Sequence, residues 1–451
     1  MKFWKALAAT ALLAFGAGVV WLGASAFWAA RREKQALANW SRVGEDLPAL
    51  AASFPRRETN AAALSLEKAA APLGIDLEPR GGAAGVDAEP VGMDRESKTE
   101  WGRTRGPLTK WATNEAERPE EGVEPPPPAV AAYLAGHGPE IDALESALVS
   151  GPAPEWAEDT SLLFAAPAPN MAGHLQLHTL LLAHALVRAA AGDEAGAERA
   201  VLASWNLAGP ERSRPDVVSR SIAWLATHLE LGVLRKLPAD AAAWRGRIAA
   251  FDPRDSVRRS WALEAWTTWQ AARRRQEAGV DSGAARGFLR GLMARSGRRL
   301  EAAALLDGWR AMTEAAVKSP VSDGDGAALA AEFRRGMGRW AATMPAVPGL
   351  AGAWKRADRL VLETELTNKV FDVRAARAAT GAWPASVPGI EASRGENVKW
   401  VYAVTPEGRA SIATNRLLSW PDRAASILGW VSGPAATKAS APRKLPAPKR
   451  G

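Results

Sequence analysis

The chain has 451 residues, of which 47% are hydrophobic and 24% charged, and its net charge is +8 at pH 7. This length is sufficient for one large or two ordinary domains with a substantial core. Because cysteine is absent, the composition excludes a lipid anchor on cysteine, disulfide bonds, thiolate zinc sites and cysteine nucleophiles. The positive charge suits an anionic partner, but it accompanies abundant Ala and Gly, as a GC-rich genome produces.

An uncharged run near the N-terminus is the first predicted element. Residues 6–30 contain no charged side chain and lie between Lys5 and Arg31. As a helix with about 1.5 Å per residue, this run would be about 37 Å long, enough to cross a hydrocarbon core of about 30 Å. We therefore predict a signal-anchor transmembrane helix in residues 1–34. A signal peptide cleaved after residues 24–26 is the open alternative, although the run exceeds the usual apolar region of about 7–15 residues.

The charges that flank this run bear on its orientation. Lys2 and Lys5 precede it and Arg31, Arg32 and Lys34 follow it, so the positive charge is nearly balanced. A short basic segment before the run is typical of a signal-anchor. We expect a single-pass protein of the bacterial inner membrane, with its N-terminus inside and its C-terminal body in the periplasm. The absence of cysteine fits an oxidising compartment.

Helical patterns dominate the body of the chain. Residues 35–79 predict membrane-proximal helices, and residues 80–128, dense in Gly, Pro and charge, predict a loop or linker. Residues 129–348 predict a helical-hairpin domain. Within it, Leu181–Leu202 consists of a helix, a Gly192-Asp193 turn and a second helix, and this segment resembles a tetratricopeptide-type hairpin. No consensus recurs at a period of about 34 residues. The expected helices of this domain span residues 176–191, 194–208, 215–237, 239–251, 254–277, 298–318 and 327–344.

The C-terminal part combines a helix with strands. Residues 349–432 predict a long helix followed by one β-hairpin, in which residues 398–404 pair with residues 409–413. Residues 379–386, which end the helix, resemble the corresponding segment of type II secretion pseudopilins, although the N-terminus lacks the prepilin-peptidase signature. Residues 433–451 form a Pro/Ala-rich basic tail that is predicted to be disordered.

Two groups of residues have the spacing of metal ligands. His174 and His178 are four positions apart, which on a helix places both imidazoles on one face. Asp323, Asp325 and Glu332 match ligand positions of a calcium-binding EF-hand loop, but a valine stands at the first ligand position. Buried histidines and a capped helix turn are the alternatives, and the incomplete ligand sets favour them.

Other candidate motifs are weak. Residues 254–299 carry eleven arginines and four acids, with Trp261, Trp266 and Trp269 among them. Arginine with aromatic residues is typical of nucleic-acid binding, but a buried tryptophan face covered by arginine side chains is the simpler interpretation and argues against a nucleic-acid partner. Glu145 is predicted to lie on a helix surface. The sequence has no phosphate-binding loop, dinucleotide fingerprint, zinc-peptidase motif or nucleophile elbow.

These observations predict a mainly α fold. It comprises the N-terminal transmembrane helix, stacked helical hairpins that form an irregular bundle or short solenoid, and the small C-terminal β-hairpin. As a whole the chain resembles the uncharacterised single-pass envelope proteins of GC-rich bacteria, a likeness that implies no activity.

For function, we expect a membrane-anchored scaffold or protein-interaction module with no catalytic site and no cofactor. Its expected partners are the lipid bilayer, envelope proteins and, through the basic tail, anionic lipid headgroups. One alternative is an envelope enzyme that acts on cell-wall polymer through unidentified carboxylates. Another is an accessory of a pilus or type II-like secretion system.

Overall fold

The protein, as a computed structural model, is mainly helical with a small antiparallel sheet near its C-terminus, as predicted. The structure describes residues 2–54, 56–79, 93–159, 170–214, 216–277, 285–322, 326–343, 348–420 and 423–433. Some helical side chains, among them those of residues 2–16 and 285–294, lie outside this description. The predicted basic tail, residues 433–451, lies outside it except for Gly433.

The helices follow one another closely along the chain. They are α1 (Lys2–Ala38), α2 (Leu47–Ala52), α3 (Ala61–Ala70), α4 (Arg95–Glu117), α5 (Pro128–Gly136), α6 (Gly138–Ser150), α7 (Met171–Ala190), α8 (Glu194–Leu207), α9 (Gly209–Ser213), α10 (Val217–Leu234), α11 (Ala241–Ala249), α12 (Pro253–Glu277), α13 (Ala285–Lys318), α14 (Ala327–Met337) and α15 (Pro348–Thr380). Short 3₁₀ helices occupy Asn39–Val43, Ala71–Leu73 and Gly338–Thr343. The strands are β1 (Trp400–Val404), β2 (Ala410–Thr414), β3 (Leu418–Trp420), β4 (Arg423–Ser426) and β5 (Gly429–Val431).

The predicted membrane span falls within α1. Residues 6–16 of that span are among the positions whose side chains are not described. In the part of the chain that is described, no helix combines the length and the apolar character needed to cross a bilayer. The predicted transmembrane helix is therefore not supported by the described residues.

The chain divides into two compact units, each built from separate segments. The first unit comprises Met1–Phe54, Arg258–Lys318 and Ala327–Gly349. The second unit comprises Pro55–Val257, Ser319–Gly326 and Leu350–Gly451.

In the first unit, α1 packs against α13, and α13 packs against α14. Leu22, Ala29 and Ala36 form the buried side of α1, because residues seven positions apart share a helix face. Between α13 and α14, Trp309 meets Phe333 edge to face, with ring centroids 5.5 Å apart. These contacts make the first unit a bundle of long helices.

The second unit contains the predicted helical hairpin. Helices α7 and α8 pack against each other, joined by Gly192 at φ 80° and by Asp193, whose carboxylate accepts a hydrogen bond from the backbone N–H of Gly196 at 3.0 Å. Helix α7 is buried on almost every side, since Leu177, Leu181 and their leucine neighbours are all inaccessible to solvent. Helices α4, α6 and α10 cover this hairpin.

The C-terminal sheet contains the predicted hairpin and more. Strand β1 pairs with β2 in antiparallel register, with Tyr402 opposite Ile412. Strand β5 pairs antiparallel with the other edge of β2, and there Trp430 is opposite Ile412. Strands β3 and β4 form a second hairpin, so the prediction of one hairpin is incomplete. The sheet packs on α15: Leu362 and Leu366 of this helix and Trp430 of β5 belong to one buried hydrophobic cluster.

The predicted loop or linker of residues 80–128 contains α4, a helix of 23 residues. The helix begins where the carboxylate of Asp94 accepts a hydrogen bond from the backbone N–H of Ser97 at 2.7 Å. Trp101 and Trp111 are buried, and the indole of Trp101 donates to the side chain of Gln176 on α7 at 2.7 Å. Tertiary packing thus stabilises a helix that its composition does not favour.

Two helical glycines provide a matched test of this packing. A methyl group at Gly232 of α10 would lie 2.2 Å from the carbonyl oxygen of Ala116 on α4, whereas a methyl group at Gly246 of α11 would meet no atom within 4 Å. We expect Gly232→Ala to lower the melting temperature, and Gly246→Ala to raise the free energy of unfolding by about 0.5–1 kcal/mol. Thermal denaturation followed by circular dichroism measures both. Equal effects of the two substitutions would contradict the close contact of α4 and α10.

Candidate functional site

All five histidines of the chain lie beside a carboxylate or reach one through a hydroxyl group. The pairs are His137 with Glu100 at 3.2 Å, His174 with Glu211 at 2.5 Å, His184 with Glu145 at 2.7 Å, and His228 with Glu363 at 2.7 Å. His178 contacts the hydroxyl of Ser204, which donates to Glu230. These pairings define the polar groups from which a site in the second unit would be built.

The predicted metal pair His174 and His178 lies on α7, and both imidazoles are fully buried. Their Nδ1 atoms contact different groups, Glu211 for His174 and Ser204 for His178. Burial lowers the pKa of His178 well below its usual range, so this imidazole is neutral at pH 7. Among the described residues, neither histidine belongs to a group of three potential metal ligands.

The hydroxyl of Ser204 connects His178 to a buried ion pair. Ser204 donates its proton to Glu230 at 2.8 Å, so Nδ1 of His178 donates to Ser204 at 3.0 Å. Burial raises the pKa of Glu230, and the charge of Arg212, 2.5 Å away, opposes this shift. The guanidinium of Arg212 also lies 3.7 Å from the ring centroid of Trp205. Because the serine bridges the imidazole and the carboxylate, this arrangement is not that of a nucleophilic triad.

Asp142, Glu145 and His184 have potential ligand atoms within 4.8 Å of one another. Glu145 is fully buried, so the prediction that it lies on the surface is wrong. Two guanidinium groups already face this cluster: Arg188 pairs with Asp142, and Arg199 lies 3.7 Å from Glu145. His184 uses Nδ1 to contact Glu145 at 2.7 Å. Since arginines supply the compensating positive charge, we interpret the cluster as a structural ion-pair network.

The second predicted metal group is only partly within the description. Asp323 and Asp325 lie outside the described residues. Glu332 lies on α14 and pairs with Arg335. Val321, at the position where an EF-hand needs its first ligand, is buried and accepts a backbone hydrogen bond from Glu396 at 2.7 Å. The packing of Val321 explains the missing carboxylate.

The arginine-rich segment contributes ion pairs to the first unit. The simpler interpretation predicts that Trp266 and Trp269 are buried; in α12, Trp269 and also Trp261 are buried, whereas Trp266 is only partly buried. The indole of Trp269 donates to Glu33 of α1 at 2.8 Å, and Arg273 and Arg299 lie 4.0 and 3.7 Å from the same carboxylate. The carboxylate of Glu33 on α1 is thus contacted by side chains of two other helices, α12 and α13.

A cleft of about 200 Å³ in the second unit is lined by polar groups, including Arg57, Glu155, Glu158, Glu211 and Arg214. Burial raises the pKa of Glu158, and the charge of Arg214 partly opposes this shift. Glu211 is buried and its carboxylate is contacted by His174. Sequence reasoning did not identify this cleft, because its residues come from segments about 50 to 150 positions apart.

Comparison of the chain with protein-family models, with curated proteins and with solved structures gives no match.

Glu363 of α15 is a buried carboxylate with several partners in the second unit. It is fully buried and accepts hydrogen bonds from Nδ1 of His228 at 2.7 Å and from Arg359 at 2.6 Å. Burial alone would raise its pKa, but the charges of His228 and Arg359 outweigh this effect and lower the pKa to about 2. The other imidazole nitrogen of His228 contacts Glu117 of α4 at 3.0 Å. The cluster therefore joins α4, α10 and α15.

We expect Glu363→Gln to lower the free energy of unfolding at pH 7 by about 3–5 kcal/mol, because it leaves buried positive charge without its counter-charge. The folded-state pKa of about 2 lies below the ordinary value of 4.5, so Glu363 contributes stability above pH 4.5 that is lost as the pH falls toward 2. The variant should lack this part of the acid dependence. Urea denaturation at several pH values measures both effects. Glu58→Gln, at an exposed pair with Arg56, is the control and should change stability by less than about 1 kcal/mol.

Proposed function

We propose that this protein is a membrane-attached helical scaffold or protein-interaction module, held in the bacterial inner membrane by α1 with its body in the periplasm. The observation that carries the proposal is the exposure of large apolar side chains on the described part of α1. Trp21 and Phe27 are 62% and 70% exposed, and they belong to the uncharged run of residues 6–30. Exposed apolar groups of this size mark contact surfaces for lipid or protein.

The polar interior of the second unit supports a scaffold over an enzyme. Its buried carboxylates Glu145, Glu230 and Glu363 each have an arginine or histidine within 2.8 Å. Charged groups paired in this way stabilise the packing of helices and have little freedom to transfer protons to a substrate. A stack of helices held in register by such pairs offers stable surfaces for partner proteins.

The absence of cysteine makes the attachment directly testable. In the Arg103→Cys variant the new thiol is the only one in the chain, and Arg103 is exposed on α4. We expect the protein to stay in the membrane pellet after alkaline carbonate, and the thiol to react with an impermeant maleimide added outside spheroplasts. Release into the supernatant, or a mature N-terminus at Phe27, would contradict attachment by α1. Reaction only after lysis would place the body in the cytoplasm.

A matched variant controls for peripheral association. Leu12→Arg combined with Leu13→Arg adds two charges inside the uncharged run, and each costs about 2.5–3.5 kcal/mol at the centre of a membrane helix. We expect this variant to be released by carbonate. Its retention would show that another part of the chain holds the protein to the membrane.

The enzyme alternative is favoured by one observation, the cleft that contains Glu158 with its raised pKa. A raised pKa makes a carboxyl group a better general acid than an ordinary glutamate. If this alternative is right, the full-length protein digests purified cell-wall polymer and Glu158→Gln abolishes the digestion, whereas Glu58→Gln does not. No digestion by the unaltered protein would remove this alternative.

The pilus or secretion alternative requires a C-terminal helix-and-sheet domain that packs apart from the helical hairpins. Residues 350–451 instead belong to the same compact unit as residues 55–257. We therefore do not favour this alternative.

A further inference from the structure

The described half of α1 carries a continuous band of exposed apolar residues, which are Val20, Trp21, Phe27 and Trp28. Residues 20 and 27, and residues 21 and 28, are seven positions apart, so all four occupy one side of the helix. The exposed fractions lie between 55% and 72%, and the opposite side carries the buried residues Leu22 and Ala29. The band is thus an outward face of the first unit.

Positive charge begins where this band ends. Arg31 and Lys34 are the next exposed residues on the same side of α1, one and two turns beyond Phe27. Neither side chain forms an ion pair with any part of the chain that the structure describes. They are therefore available to an external anion.

A neighbouring helix carries a further exposed cation, one turn from a residue that contacts α1. Glu33 of α1 lies 3.7 Å from Arg299 of α13, and Arg295 is exposed one turn before Arg299 on that helix. No ion pair of Arg295 occurs within the described ranges. We call Arg31, Lys34 and Arg295 the basic collar.

Glu33, which precedes Lys34 in the sequence, does not neutralise the collar. The side chain of Glu33 is only 11% exposed, and its oxygens face Trp269, Arg273 and Arg299. Its charge is therefore matched within the bundle, and the collar keeps a net positive charge toward solvent.

We propose that the basic collar binds the anionic headgroups of the membrane in which α1 is held. This inference rests on the proposed attachment of α1 to a membrane. An apolar band that ends in aromatic residues, followed directly by cations, is complementary to the acyl chains and to the phosphate layer of a bilayer, in that order. A soluble anion or a nucleic acid would match the cations but not the apolar band beside them.

Headgroup-specific fluorescence quenching tests the proposal on the full-length protein. Gln35→Cys places a single thiol at an exposed position next to Lys34, and a dye on this thiol reports on nearby lipid. The labelled protein is reconstituted in phosphatidylcholine vesicles that contain, at equal fraction, quencher on phosphatidylglycerol or quencher on phosphatidylcholine. We expect several-fold stronger quenching by the anionic lipid, with the difference shrinking at high salt.

Charge-removal variants identify the residues responsible. In the collar variant Arg31→Gln, Lys34→Gln, Arg295→Gln, the quenching by the two lipids should become nearly equal. The control variant Arg103→Gln, Arg105→Gln, Lys110→Gln removes the same charges from exposed positions on α4 and should keep the preference for the anionic lipid.

The outcomes separate this inference from the proposed function. Equal quenching by both lipids in the unaltered protein, or an equal loss of preference in the two triple variants, would overturn the collar while leaving membrane attachment intact. No quenching by either lipid would instead contradict the attachment itself, and the collar with it.

Discussion

The pairing of buried charges between helices is the constraint on which the second unit depends. Glu145, Glu211, Glu230 and Glu363 lie on four different helices, and each is fully buried. Each is contacted by a histidine or an arginine from another helix. An unpaired carboxylate in such surroundings would cost several kcal/mol, so a helix that shifts by one turn loses more than its apolar contacts. The apolar residues drive the helices together, and the charges specify their register.

The helical hairpins could be predicted because their signals are local. The apolar spacing in α7 and the Gly192-Asp193 turn lie within a few residues of one another, and Asp193 both ends the turn and caps α8. Helix α4 could not be predicted in the same way. Its glycines, its charges and Pro107 oppose a helix locally, whereas the contacts that stabilise it, such as Trp101 with Gln176, come from residues 75 positions away. The composition of this segment therefore predicts a loop, whereas tertiary packing stabilises a helix there.

The candidate site could be predicted only in part. The spacing of His174 and His178 correctly places them on one helix, but their partners Glu211 and Ser204 come from other helices that no short motif connects to them. The positions of certain acidic residues do indicate buried ion pairs. Glu230 and Glu363 stand within leucine- and valine-rich helical runs, where an exposed charge is unexpected and a buried partner is required. Glu145 also has apolar neighbours, Leu144 directly before it and Leu148 three positions after it. It is buried, although it was predicted to lie on the surface.

The same rule on buried charge bears on how deeply the first unit would enter a bilayer. Glu33 gathers Trp269, Arg273 and Arg299 at the end of the apolar band on α1. If the cluster around Glu33 moved into the hydrocarbon core, the two arginines, whose side chains are about 40% exposed, would lose their contact with water. If the cluster moved away from the bilayer, Trp28 and Phe27 would leave the membrane and become exposed to water. Both displacements are unfavourable, so in a membrane the cluster around Glu33 would hold the bundle at the headgroup layer.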